Sequence, residues 1–286
     1  MAEGQRLRRR RVRLLTTGVA SAVAFVALYL LAVCTPQGQA LDASSLGALG
    51  VLRGEGWLEF YQGRDVVLYG LLAVAAVAAV TTATAHHPLP VICASILVGL
   101  VGLVAVAAKE LLPRPFFGDF AYVDNTYPSG HAALALAAAI ATIWCGPSWL
   151  SRTAVVVLGA LACFVVIASL LSFAHRAADT IGGVLLAAAM SCLLVTSLRD
   201  ASPAPSDARR MTLRCSLAVV GLGAAGVAIS AVALETGHGS GWVDLLGVAT
   251  LTAAIGGVGA VLGAHRSITP LRPDHRRGDP SRVDGL

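Results

Sequence analysis

The sequence predicts an all-α fold, a polytopic transmembrane helix bundle with a six-helix core followed by a C-terminal pair of transmembrane helices. Three observations predict it. Of 286 residues, 56% are apolar and 13% are charged, whereas soluble domains carry about 25% charge. The mean hydropathy is +0.75. The apolar residues come in blocks of about 20, the number of helical residues that crosses roughly 30 Å of hydrocarbon. Together these exclude a water-soluble enzyme, a disordered tail and a nucleic-acid binder, despite the net charge of +5 and pI near 9.1.

Taken in order, the elements begin with a basic segment, 1–13, carrying six arginines. The first apolar run, at about 14–34, is too long for the apolar stretch of a cleaved signal, so it is expected to stay as a helix despite the small residues at Gly38 and Ala40. Further runs follow at about 66–85, 90–108, 131–146, 153–173 and 178–197, completing a core over 14–197. The stretch 198–214, with Pro203, Pro205 and four arginines, reads as a linker before two more runs at about 215–234 and 245–265. The last run holds Gly259 and Gly263 in a spacing that suits close helix packing. A basic tail, 266–286, ends the chain. The six cysteines show no CxxC and lie in or beside apolar runs, so they are expected to be small core residues without a disulfide or metal framework.

Eight spans put both termini on one side. Sixteen of the 21 basic residues fall on that side, and Arg53, Arg64, Lys109, Arg114 and Arg176 fall on the other. Basic loops favour the cytoplasm, so both termini are expected there. The few ionisable groups on the opposite side fall into three clusters, each at a helix end. Lys109 and Arg114 close the third run, Ser129 and His131 open the fourth, and His175 and Asp179 lie between the fifth and sixth. His131 and His175 are separated by two runs and a short turn, which return the chain to the same level at 1.5 Å per residue.

Each cluster has a local logic. Pro113 cannot sit inside a helix, so the third helix is expected to break near Lys109, and Arg114, preceding Pro115, is biased to extended backbone. Pro128-Ser129-Gly130-His131 leads into an apolar run, so Ser129 is a candidate N-cap, and the helix start at Gly130 offers backbone N–H groups to an anion. His175 and Asp179 are spaced i, i+4, which on a helix puts them on one face. A carboxylate on one ring nitrogen fixes the tautomer and leaves the other nitrogen as a base or nucleophile. Two cations, a helix N-terminus and two histidines at one level describe a phosphate site.

At these residues the chain resembles the type 2 phosphatidic acid phosphatase (PAP2) superfamily of integral membrane lipid phosphatases. The resemblance covers about 60–197 and rests on Lys109 with Arg114-Pro115, on Pro128 to His131, and on His175 with Asp179. It implies that His175 is a nucleophile forming a phosphohistidine, that Asp179 orients it, and that His131 is the general acid and base. It implies phosphate binding by Lys109, Arg114, Ser129 and Gly130, with no metal and no cofactor. The chain departs from the family pattern in two places. Four residues separate Lys109 from Arg114 where six are usual, and Ser169 stands where the third signature has an arginine. Arg176 follows His175, but one helical step is a turn of about 100°, so it need not face the site.

The expected activity is hydrolysis of a lipid phosphate or diphosphate at the extracytoplasmic face of the cell membrane. Polyprenyl phosphates and diphosphates come first as substrates, then phosphatidic acid or phosphatidylglycerol phosphate. The alternatives are a phosphotransferase using the same intermediate and a non-catalytic lipid-phosphate binder. A transporter fits less well, because the ionisable groups sit at one interface instead of near the bilayer midplane. The segment 35–65, with Trp57, Phe60 and Tyr61, is expected to be an amphipathic connector.

Overall fold

The computed structural model describes residues 2–47, 52, 54, 56–85, 88–118, 124–146, 150, 152–197 and 241–266. The fold is all-α, with no strand among the described residues. Helix α1 (Ala2–Leu28) runs into a π-helical turn (Tyr29–Val33), then α2 (Pro36–Ser44) ends in a 3-10 turn (Ser45–Gly47). There follow α3 (Trp57–Gln62), α4 (Arg64–Thr84), α5 (Pro88–Leu111), α6 (Gly130–Cys145), α7 (Arg152–Leu171), α8 (Ala177–Ser197) and α9 (Gly241–Arg266).

Five stretches are long and apolar enough to cross a bilayer: Leu14–Val33, Trp57–Thr84, Pro88–Leu111, Thr153–Leu171 and Ala177–Ser197. The chain is a multi-pass membrane protein. Of the other expected spans, α6 (Gly130–Cys145) is a shorter apolar helix, and Gly247–Gly263 is an apolar stretch within the 26-residue α9. The linker 198–214, the run at 215–234 and most of the basic tail lie outside the described residues.

The shortness of α6 follows from its place. Sixteen residues rise about 24 Å, less than the roughly 30 Å of hydrocarbon, but a helix wrapped by other helices need not match the lipid. α6 is packed by α4, α5, α7 and α8. Its alanines at 132, 133, 135, 137, 138, 139 and 141 are buried. Lipid tails are as apolar as leucine, so helices associate in a membrane through close van der Waals contact, which small side chains allow.

α9 packs against α6, α7 and α8, and a buried polar contact seats it. Trp144 Nε1 donates to His265 Nδ1 at 3.3 Å, and His265 Nε2 lies 2.9 Å from Ser191 Oγ. An accepting Nδ1 requires the proton on Nε2, which then donates to the serine. Among the described residues nothing packs against the glycine pair of this helix: a Cβ added at Gly259 or Gly263 meets nothing within 4 Å there, and the neighbouring run 215–234 lies outside them. Val258 and Leu262 are buried instead. Cys34, Cys93, Cys145, Cys163 and Cys192 are free thiols, and Cys215 lies outside the described residues.

The stretch from 35 to 65 is more than a connector. Trp57 and Phe60 are exposed and meet edge to face, with ring centroids 5.7 Å apart, while Tyr61 is buried beneath them. Gln39, Asp42 and Ser45, polar residues that the sequence gives no reason to bury, are all buried. Their partners belong to the site.

Candidate functional site

The end of α5 supplies the first two cations. The clash made by Pro113 falls on the carbonyl four residues back, at Lys109. The helix therefore continues to Leu111, and the Leu112 N–H still reaches the Ala108 carbonyl at 3.0 Å. The break comes after Leu111, two residues beyond Lys109 and so near it as expected, and Lys109 stays in the last helical turn. Terminal carbonyls need partners, and Asn125 Nδ2 donates to Ala108 and Leu112 at 3.2 and 3.1 Å. The arm beyond is pinned by Tyr29, whose hydroxyl donates to the Pro113 carbonyl. Gln39 Nε2 bonds the Pro115 carbonyl at 2.8 Å. Arg114 is thus fixed between two anchored prolines. Both Nη atoms of its guanidinium are buried and make no hydrogen bond among the described residues. Burial first, and then the charge of Arg176, push its pKa down.

The start of α6 supplies the helix terminus. Ser129 has extended backbone, φ −65 and ψ 113, and its Oγ accepts from the Ala132 N–H at 3.4 Å, the N-cap arrangement. Gly130 and His131 follow as the first helical residues, whose N–H groups have no intrahelical partner. The loop before them lies directly on α8. The Ser129 N–H donates to the Asp179 carbonyl at 2.8 Å. This approach requires glycines on α8. A Cβ at Gly183 would come within 2.5 Å of the Ser129 carbonyl oxygen, and one at Gly182 within 2.3 Å of the Tyr127 ring. Gly183→Ala is therefore expected to force the loop off α8 at a cost of about 1–3 kcal/mol, in the range for overpacking. A lower thermal unfolding midpoint in detergent reads it, and an unchanged midpoint contradicts the close approach.

The turn between α7 and α8 supplies the remaining groups. The backbone reverses through Phe173 at φ 59, a left-handed conformation that non-glycine residues seldom adopt. The His175 N–H donates to the Ser169 carbonyl at 3.0 Å, tying His175 to the end of α7. Ser169 is fully buried and its hydroxyl bonds the Val165 carbonyl at 2.7 Å, inside its own helix. α8 begins only at Ala177, so His175 and Asp179 are not on one helical face as expected. They meet because the Asp179 carboxylate folds back over the helix start. Its Oδ2 accepts from the Arg176 N–H at 3.1 Å and from the Thr126 hydroxyl at 2.6 Å, and lies 3.6 Å from His175 Nδ1. That last distance is longer than a hydrogen bond. Catalytic contacts commonly tighten only when substrate is bound.

The buried polar residues of α2 complete this helix start. Asp42 Oδ1 accepts from the Ala178 N–H at 2.8 Å and Ser45 Oγ from the Ala177 N–H at 3.0 Å. Side-chain oxygens thus occupy the first N–H groups of α8, while Gly130 and His131 at the start of α6 remain the natural anion donors. Burial, and then the facing charge of Asp179, push the Asp42 carboxyl up to about 7 against the pull of the Ala178 N–H, Arg176 and Arg114.

The three clusters expected to converge do so at one end of the bundle. The rings of His131 and His175 are 6.4 Å apart. Lys109 lies close enough to Asp179 to feel its charge, and Ser129 and Gly130 border Asp179 and α8. Sequence reasoning missed Thr126, Asp42 and a second histidine–carboxylate pair, His131 Nε2 to Asp65 Oδ1 at 3.0 Å. Arg64 flanks that pair at 3.4 Å from Asp65 and also donates to Ser172 Oγ in the α7–α8 turn. No sequence signal linked Asp65 to a histidine 66 positions away. Comparison with protein-family models, curated proteins and solved structures finds no match for this chain.

Proposed function

We propose that the chain is a metal-independent phosphatase that hydrolyses lipid phosphates or diphosphates through a phosphohistidine intermediate. The observation that supports this most is the pair of histidines, each beside an aspartate, with ring centroids 6.4 Å apart. The two rings are close enough for one phosphoryl group bound beside them to meet a nitrogen of each, as a near-attack geometry requires.

Asp179 lies toward Nδ1 of His175, which leaves Nε2 to attack phosphorus. As the N–P bond forms, the bond to the lipid oxygen breaks, and His131 gives its proton to that oxygen. Water then attacks the phosphohistidine, His131 takes a proton from it, and the N–P bond breaks to release phosphate. Asp65, with Oδ1 3.0 Å from His131 Nε2, is placed to favour the protonated ring electrostatically. Lys109, Arg114 and the N–H groups of Gly130 and His131 carry the charge on the non-bridging oxygens, and Ser129 both caps α6 and retains a hydroxyl proton to donate. Phosphoryl transfer needs mainly positioning and charge stabilisation, which these groups supply without a metal.

The membrane setting points to a lipid substrate. Lys109, Arg114 and both histidines lie at the ends of apolar helices, where a headgroup phosphate would sit with its tails beside the bundle. Polyprenyl phosphates and diphosphates head the substrate classes, and the charge asymmetry of the loops favours the extracytoplasmic face. Incubating the purified chain with a panel of polyprenyl and glycerolipid phosphates tests the reading. Release of inorganic phosphate from at least one class is expected. Binding without release from any class would favour a lipid-phosphate binder, and transfer to an added alcohol would favour a phosphotransferase.

A further inference from the structure

We propose that Arg176 is a third phosphate-binding cation of this site, and that with Lys109 and Arg114 it suits the site to a dianionic phosphoryl group. This inference rests on the phosphatase reading for its substrate and on Arg176 itself for its geometry.

Arg176 is fully buried and directly follows His175. Burying a charged side chain inside a protein costs free energy, so a fully buried arginine calls for charged or hydrogen-bonding partners. The path of the backbone keeps Arg176 beside the site. Its N–H is held by Asp179 Oδ2 and its carbonyl by the Thr180 N–H at 3.3 Å. Because α8 begins one residue later, the rotation that would carry a helical neighbour of His175 away from the site does not apply.

The electrostatic surroundings agree with this placement. The charge of Arg176 acts on both Arg114 and Asp42, so the three groups share one neighbourhood. The charge of Arg176 opposes that of Arg114, and the fold accepts this at a place where Arg114 Nη1 and Nη2 are buried without a hydrogen bond among the described residues. An anion bridging the two would relieve it. Three cations, Lys109, Arg114 and Arg176, act here on the carboxylates of Asp42 and Asp179. Burial and the facing charge of Asp179 push the Asp42 carboxyl up, which lessens the negative charge that competes with an anion here. A phosphate monoester carries about −1.5 to −2 at pH 7. Ser169, its hydroxyl spent on Val165, adds nothing to this charge.

The test is calorimetric titration of inorganic phosphate into the purified full chain and into Arg176→Gln and Arg176→Lys, with lipid-phosphate turnover measured on the same samples. Loss of a charged hydrogen-bonding partner should weaken phosphate binding about tenfold or more in Arg176→Gln. Arg176→Lys, which keeps the charge but not the planar fork, should recover part of it. If Arg176→Gln does not fold, Arg176→Lys alone decides, with a loss of about threefold expected. Unchanged phosphate affinity in a folded variant overturns the inference even if the wild type turns over lipid phosphates. A wild type that binds no phosphate also overturns it. Arg176-dependent phosphate binding without turnover of any lipid would keep the anion site and discard the phosphatase reading.

Discussion

His175→Ala is expected to abolish phosphate release from lipid phosphates, with turnover falling about 10⁴-fold or more. Removing the nucleophile of a covalent mechanism costs on this scale because the remaining groups stabilise a transition state that no longer has an attacking atom. The structure makes the variant clean. The His175 N–H, which ties the turn to Ser169, belongs to the backbone and survives the substitution. His175 Nδ1 makes no hydrogen bond among the described residues, so truncation breaks none at that nitrogen and removes only the 3.6 Å charge contact with Asp179. Asp179 keeps its bonds to Arg176 and Thr126. An unfolding midpoint close to wild type should therefore accompany the lost activity, and wild-type turnover would remove His175 from the mechanism.

His131→Ala should lower turnover by about 10² to 10⁴, the usual worth of a positioned general acid and base. The loss should be greatest for substrates with the poorest leaving groups. A polyprenyl monophosphate leaves as an alkoxide, which needs the proton, whereas a diphosphate leaves as a phosphate, which needs it less. A comparison of the two substrates in the variant reads this directly. Asp65→Asn should act through His131, costing less than its removal and shifting the pH dependence of kcat, because Asp65 is the carboxylate at 3.0 Å from the ring. Equal losses for both leaving groups would assign His131 a binding role instead.

Much of the fold is written in continuous apolar runs, because a membrane demands long helices and leaves little latitude. Pro128 to His131 announced the start of α6, since an N-cap and a glycine before an apolar run mark a helix origin within one residue. Other features were hidden for definite reasons. The polar face of α2 reads as solvent-exposed, yet Gln39, Asp42 and Ser45 are buried because they bond the Pro115 carbonyl and the first N–H groups of α8. Arg176 seemed to turn away from His175 only under the assumption that both are helical, and the helix starts at Ala177. Asp65 sits beside a charge-balancing Arg64, so nothing local tied it to His131. His265 looked like the last residue of an apolar run, and its pairing with Trp144 and Ser191 is purely tertiary.

The central claim is a phosphoryl group carried on His175. Rapid quenching of the purified chain with a lipid substrate labelled at the phosphoryl group, followed by peptide mapping, tests it most directly. The account predicts an alkali-stable, acid-labile label on the peptide containing His175, formed within one turnover and absent from His175→Ala. Phosphate release at full rate with no protein-bound label, or a label that persists in His175→Ala, would contradict it.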